Sequence, residues 1–203
     1  MSDFDTKLLK YRLLGKVSEI KAQGGECILV TLDDGTKPPY EASYEVYIGD
    51  NVKDCSYDLN KFFKQLAGRP HIKIIGGKNI KSLDSMFMSV KQDKLDLSNF
   101  DTHKVITMEQ MFEEAEIKNL DVSSFDVSNV TDFKQMFHEF KTEELNLSSF
   151  KIRKDKEVST YAMFQYSGIE ELITSDERII SAAEEYSEGW STRICKITSK
   201  GCF

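Results

Sequence analysis

Apolar residues along this chain recur in register. Met-Phe pairs stand at 86–87, 111–112, 136–137 and 163–164, so successive copies lie 25, 25 and 27 residues apart. A fixed period in the twenties marks a solenoid, whose single coil cannot bury its apolar face until a neighbour stacks on it. Around each Met-Phe the pattern repeats as well: Ile80, Leu83, Met86, Phe87 and Val90; then Val105, Met108, Met111, Phe112 and Ala115; then Val130, Phe133, Met136, Phe137 and Phe140. The last four of each set fall at i, i+3, i+4 and i+7, which predicts a short helix with one apolar face. Ser82, Thr107, Asp132 and, in the fourth copy, Thr160 stand where such a helix needs an N-cap, and Thr107 with Gln110 makes a capping box.

Ahead of each predicted helix lies an alternating L-x-L: Leu95-Asp96-Leu97, Leu120-Asp121-Val122, Leu145-Asn146-Leu147 and a decayed Leu172-Ile173-Thr174. Period two turns the outer pair inward and the middle residue outward, as in a strand. Phe100, Phe125 and Phe150 follow three residues later and predict a stacked aromatic spine. Run backwards, the same register finds one more unit in 69–87, with Ile72 at the second Leu position and Ile75 at the Phe position. Run forwards, 151–164 carries two extra residues and predicts a bulged or capping unit.

The phrase L-D-L-S-x-F-D-x-S-N-V-T-x-x-x-x-M-F, read from 95–112 and 120–137, resembles the repeat of the BspA-like leucine-rich-repeat proteins. That resemblance covers roughly half of the chain. It implies a leucine-rich-repeat-type solenoid and protein recognition by it. Members of the family are commonly secreted or cell-wall adhesins with many more repeats, whereas "MSDFDTKLLK" has acidic residues where a secretory signal would carry basic ones.

The flanks read differently. Residues 4–14 predict a short helix; "KVSEIKA", "ECILVTL" and "YEASYEVYI" predict a small antiparallel meander turning at Gly24-Gly25 and Asp34-Gly35. Residues 58–68 predict an amphipathic helix, with Asp58 at its start, Leu59, Phe62, Phe63 and Leu66 inward, and Gly68 at its end. Residues 175–188 predict another helix and "WSTRICKITS" a strand or tail. The expected organisation is therefore an α+β head or cap over 1–68, a solenoid over 69–175, and a helix-and-tail cap over 176–203. The fold class is α/β, a short leucine-rich-repeat-like solenoid with a parallel sheet and short helices.

Charge and chemistry narrow the function. The 203 residues carry 27 basic and 34 acidic side chains, a net charge of −7, the reverse of a general nucleic-acid binder. Four scattered cysteines and apolar runs far shorter than a membrane span point to an intracellular, cytoplasmic protein with reduced thiols. Gly76-Gly77-Lys78 follows a strand pattern, yet a phosphate loop would need Gly at Ile72 and Ser or Thr at Asn79. His71, His103 and His138 offer no zinc spacing, and no G-x-S-x-G elbow is present. No enzyme activity, cofactor, metal, direct nucleic-acid contact or membrane is expected.

What remains is the outward sheet face. Its expected rows are His71, Asp96, Asp121, Asn146 and Ile173; before it Arg69, Lys94, Asn119, Glu144 and Glu171; after it Lys73, Ser98, Ser123, Ser148 and Ser175. The middle and earlier rows, with Lys73, form a graded recognition surface, basic at the first repeat and acidic at the last, for a protein partner of complementary charge. Tyr40, Tyr44 and Tyr47 offer a second edge on the head. The main functional expectation is a non-enzymatic protein-binding module. One alternative is an anti-defence or anti-CRISPR-like inhibitor whose acidic surface blocks a basic nucleic-acid-binding protein; another is the adhesin the resemblance implies.

Overall fold

The computed structural model describes the backbone of residues 17–22, 25–31, 43–65, 71–185, 193–198 and 201–202, with side chains for 43–64 and 71–185. Ten strands form one sheet in chain order. Strands β1 (Val17–Ala22), β2 (Gly25–Thr31) and β3 (Ser43–Ile48) are the expected antiparallel meander. Helix α1 (Ser56–Gln65) follows, then the parallel run β4 (His71–Gly76), β5 (Lys91–Phe100), β6 (Glu116–Leu120), β7 (Lys141–Asn146) and β8 (Gly168–Thr174). Helix α2 (Glu177–Glu185), β9 (Arg193–Thr198) and a short antiparallel β10 (Gly201–Cys202) complete it. Parallel pairing extends from β3 through β9, so the solenoid sheet runs unbroken into the meander.

The sheet and the solenoid are as the repeat predicts, but the Met-Phe segments are not helices. Residues 83–90 close three tight turns instead, with the amides of Met86, Met88 and Val90 donating to the carbonyls of Leu83, Ser85 and Phe87. Ser85 and Ser89 take left-handed backbone angles, as do Gln110 and Glu114, Gln135 and Glu139, and Ala162 and Tyr166 in later coils. The alternate amides point along the solenoid: Leu83, Ser85, Phe87 and Ser89 donate to the carbonyls of Thr107, Glu109, Met111 and Glu113. Spacing explains the outcome. Strands stack about 4.8 Å apart, whereas a helix with its side chains is about 10 Å across, so a helix in every coil would splay the coils. Turns are thin enough to keep strand spacing, and the coil-to-coil bonds they gain offset left-handed angles costing on the order of 1 kcal/mol each.

The expected helix caps are therefore turn caps. Oxygens of Ser82, Thr107 and Asp132 accept from the amides of Asp84, Glu109 and Lys134, two residues on. Ser82, Thr107, Asp132 and Ser159 bridge one another in register, so Ser159, not Thr160, holds that place in the fourth coil. The two extra residues of that coil are absorbed in an exposed bend around 154–156, where Arg153 pairs with Asp155.

Two aromatic columns fill the interior. Phe100, Phe125 and Phe150 form the expected spine, with centroids 6.2 and 6.5 Å apart. The Met-Phe phenylalanines form a second: Phe63 of α1 stacks on Phe87 at 5.2 Å, and Phe112, Phe137 and Phe164 continue it at 5.3, 5.6 and 5.7 Å. Helix α1, whose first amide is received by Asp54 rather than Asp58, closes this end of the core with Leu59 and Phe63. Its polar face finishes the turn ladder: Ser56 donates to the carbonyl of Ser82, and Asn60 to those of Met86 and Met88. At the far end α2, begun by Asp176 accepting the Arg178 amide, buries Ile179, Ile180, Ala182 and Ala183. The predicted 4–14 helix, the Asp34-Gly35 turn, Leu66 and Gly68 lie outside the described residues.

Gly76 and Gly77 are structural. Both have positive φ, and a Cβ on Gly76 would lie 2.4 Å from the Ile48 carbonyl oxygen, while one on Gly77 would meet the Phe100 ring at 2.6 Å. Side chains are excluded there by the adjoining strand and the aromatic spine.

Candidate functional site: the sheet face and the β6–β7 groove

Strands β5 to β8 depart from simple alternation in the same place, whereas β4 keeps it. In β6 Ile117 and Leu120 are buried with Lys118 and Asn119 both exposed between them, and in β7 Thr142 and Leu145 flank exposed Glu143 and Glu144. Two consecutive residues thus face solvent in each of these strands, one more than period two allows. Sequence reasoning based on L-x-L missed the upstream strand half and its inward row of Gln92, Ile117, Thr142 and Ile169. Its signal was intermittent: three residues before the Leu stand apolar Ile117 and Ile169 in two coils, but polar Gln92 and Thr142 in the others.

Pairing brings most of the expected row residues together. Lys94 is opposite Asn119, Glu144 opposite Glu171, and Asn146 opposite Ile173. The first unit is corrected. Ile72 pairs with Leu95, the first Leu position, and Ile75 with Asn99, so Lys73 stands beside Asp96 and His71 falls level with Lys94. Gly76, not Ile75, takes the place of Phe100. The offset of 25 residues that holds at Ser82 and Thr107 falls to 24 at Gly76 and, through the register shift between Lys73 and Ile75, to 23 at Ile72, which no local pattern announces. His71, Lys94, Asn119, Asp121, Glu144 and Asn146 are exposed and Lys73, Asp96, Glu171 and Ile173 half-buried, while Arg69 lies outside the described residues. The tyrosine edge is corrected too: β3 lies between β2 and β4, Tyr47 is buried, Tyr44 packs edge-on against Phe62, and Tyr40 lies outside the described residues.

Part of the outward row has a structural duty. Asp96, Asp121 and Asn146 each accept the amide two residues on, from Ser98, Ser123 and Ser148, and so turn the chain at the strand's end. Hydrogen bonds from Ser98 hold the Asp96 carboxyl below its usual range, with Lys73 and Lys94 adding to the effect; Ser123 does the same for Asp121.

Elsewhere on the face, acids and bases neutralise each other along the rows. Lys73 pairs with Asp96, Lys91 with Glu116 and Lys118 with Asp93, at 3.8, 3.4 and 3.4 Å. Between β6 and β7 the arrangement changes. Here a single residue pair, Glu116 with Lys141, is in register, whereas β7 and β8 share five. The Thr142 hydroxyl sits 3.3 Å from the Lys118 carbonyl oxygen, inside this seam. Beyond it opens a groove of about 600 Å³ lined by Lys118–Asp121 and Ser123 on one side and Glu143, Glu144, Asn146 and Ser148 on the other. Among the described residues no cation lies within ion-pair distance of Asp121, Glu143 or Glu144.

Behind the sheet, a buried polar pair stands beside the unbroken turn ladder. His138 and Glu113 approach to 3.2 Å, and burial pushes the Glu113 carboxyl up from its usual range. Among the described residues no group of three or more His, Cys, Asp or Glu is placed to hold a metal, and no helix is long and apolar enough to cross a membrane.

These features define a short parallel β-solenoid with a polar, open sheet face. Residues 57–173 match the family described as Mycoplasma protein of unknown function, DUF285, and with more than half of the chain covered the protein belongs to that family. No curated protein and no solved structure matches it.

Proposed function

We propose that this protein is a non-enzymatic binding module that recognises a partner protein through the solenoid's sheet face. The observation that carries the reading is the change in charge along that face. Its carboxylates are neutralised by lysines near β4, β5 and the start of β6, and left uncompensated at the β6–β7 groove. Such a face gives a partner both a direction and a register, because like-charge juxtaposition penalises the reversed docking. The repeat phrase adds support, since it resembles that of BspA-like proteins, whose solenoids adhere to other proteins.

The test is affinity capture with mass spectrometry, comparing the wild type with Lys94→Glu/Glu144→Lys. Both positions are exposed, so the thermal transition should be unchanged while the recovered partner falls away. Undiminished recovery by the swapped protein would move the interface off this face. A partner that is itself basic, released by moderate salt and competed by nucleic acid, would make the module an acidic inhibitor of a nucleic-acid-binding protein.

A further inference from the structure

Resting on that reading, we infer that the β6–β7 groove receives an extended segment of the partner carrying lysine or arginine side chains. Three observations converge. First, the groove lies where ladder pairing is sparsest, with one residue pair in register where the seam on its β5 side has four. Its volume of about 600 Å³ suits a few extended residues. Second, the charges lining it are unbalanced. Among the described residues no cation stands beside Asp121, Glu143 or Glu144, and the one lysine on the rim, Lys118, is turned to Asp93 on the neighbouring strand. Third, the remaining groups suit a main chain. Among the described residues the Asn119 side-chain amide has no hydrogen-bond partner, and Asn146 uses its Oδ1 on the Ser148 amide, leaving its NH₂ to donate. Amides for the backbone and carboxylates for alternate side chains are what an extended basic peptide requires. An acidic or apolar segment would leave the three carboxylates unpaired and desolvated.

The experiment uses the full chain and two labelled peptides, Ser-Lys-Ser-Lys-Ser-Lys and its glutamate counterpart, followed by fluorescence anisotropy at low salt. The lysine peptide should bind and the glutamate peptide should not. Replacing the groove acids with Glu143→Gln/Glu144→Gln should weaken the lysine peptide roughly tenfold, without moving the thermal transition, as expected for removing solvent-facing ion pairs. Glu114→Gln/Glu139→Gln, on the turn ladder, should leave it within about twofold. No difference between the two peptides overturns the proposal. Binding of the lysine peptide left unchanged by the groove variant overturns the groove. Loss only with the turn-ladder variant overturns both.

Discussion

The column of stacked rings makes Phe112→Ala the sharpest probe of this architecture. Phe112 is fully buried, and its ring lies 5.3 Å from Phe87 and 5.6 Å from Phe137, nearly parallel to both, with Phe140 tilted against it at 6.1 Å. Truncating a buried phenylalanine to alanine costs about 3–5 kcal/mol through lost transfer energy and the cavity left behind. Stacked pairs add about 0.5–1.5 kcal/mol each beyond area burial, and the neighbouring coils cannot collapse inward because the turn ladder fixes their spacing, so the upper half of that range is expected. For a chain of 203 residues about 4–5 kcal/mol corresponds to a fall in melting temperature of roughly 8–20 °C. Thermal unfolding followed by circular dichroism reads this directly. Phe112→Leu, which keeps much of the volume but removes the stack, should lose less than half as much. A melting temperature within about 2 °C of wild type for the alanine variant would mean that the rings do not form a continuous column.

Two other outcomes follow from local geometry. Gly76→Ala should destabilise by about 2 kcal/mol or more, because a Cβ would sit 2.4 Å from a main-chain oxygen of β3 at a positive φ; a denaturation midpoint equal to wild type would contradict that contact. Glu113 gives a pH signature. Its folded pKa is raised above the ordinary 4.5, so the folded state binds its proton more readily than the unfolded state does, and this carboxyl's penalty is largest above the raised pKa and disappears as pH falls towards 4.5. Glu113→Gln should therefore be at least as stable as wild type at pH 7, with the advantage shrinking on acidification. A variant less stable than wild type at pH 7 would show the His138 contact outweighing burial.

How far the sequence carried the fold depends on which interactions are local. Coil period, one parallel strand per coil, the Phe100–Phe125–Phe150 spine and the two flanking helices all follow from apolar spacing and turn residues, and these survive in the structure, with β6 and β7 beginning and ending earlier than L-x-L predicts. The Met-Phe segments did not, because i, i+3, i+4, i+7 spacing is shared by a helix and by consecutive tight turns. What separates the two is whether Leu83 and Phe87 spend their amides within the segment or on the next coil, a property of the stack and not of the segment. The recognition face was legible to the extent that the repeat fixed its rows: Lys94 and Asn119 are neighbours as expected. The β4 register was hidden by two one-residue slips, one between Lys73 and Ile75 and one between Gly76 and Ser82, and the groove by the loss of pairing between β6 and β7. Glu143, one of the carboxylates that gives the groove its character, lies in the extra exposed position that period-two reasoning omits.

The turn ladder also gives the molecule a polarity comparable to the two unlike ends of a filament. Every coil offers amides towards the C-terminal side and carbonyls towards the N-terminal side, and at the N-terminal end those carbonyls are met by Ser56 and Asn60 of α1. A coil added ahead of the first would have to displace that helix. One duplicated from 91–115 and inserted after Ala115 would find donors on one side and acceptors on the other, and phenylalanines ready to extend both columns. Lengthening by internal duplication is thus a conservative change for this chain, and each added coil would bring a fresh set of outward residues with which to vary what is bound.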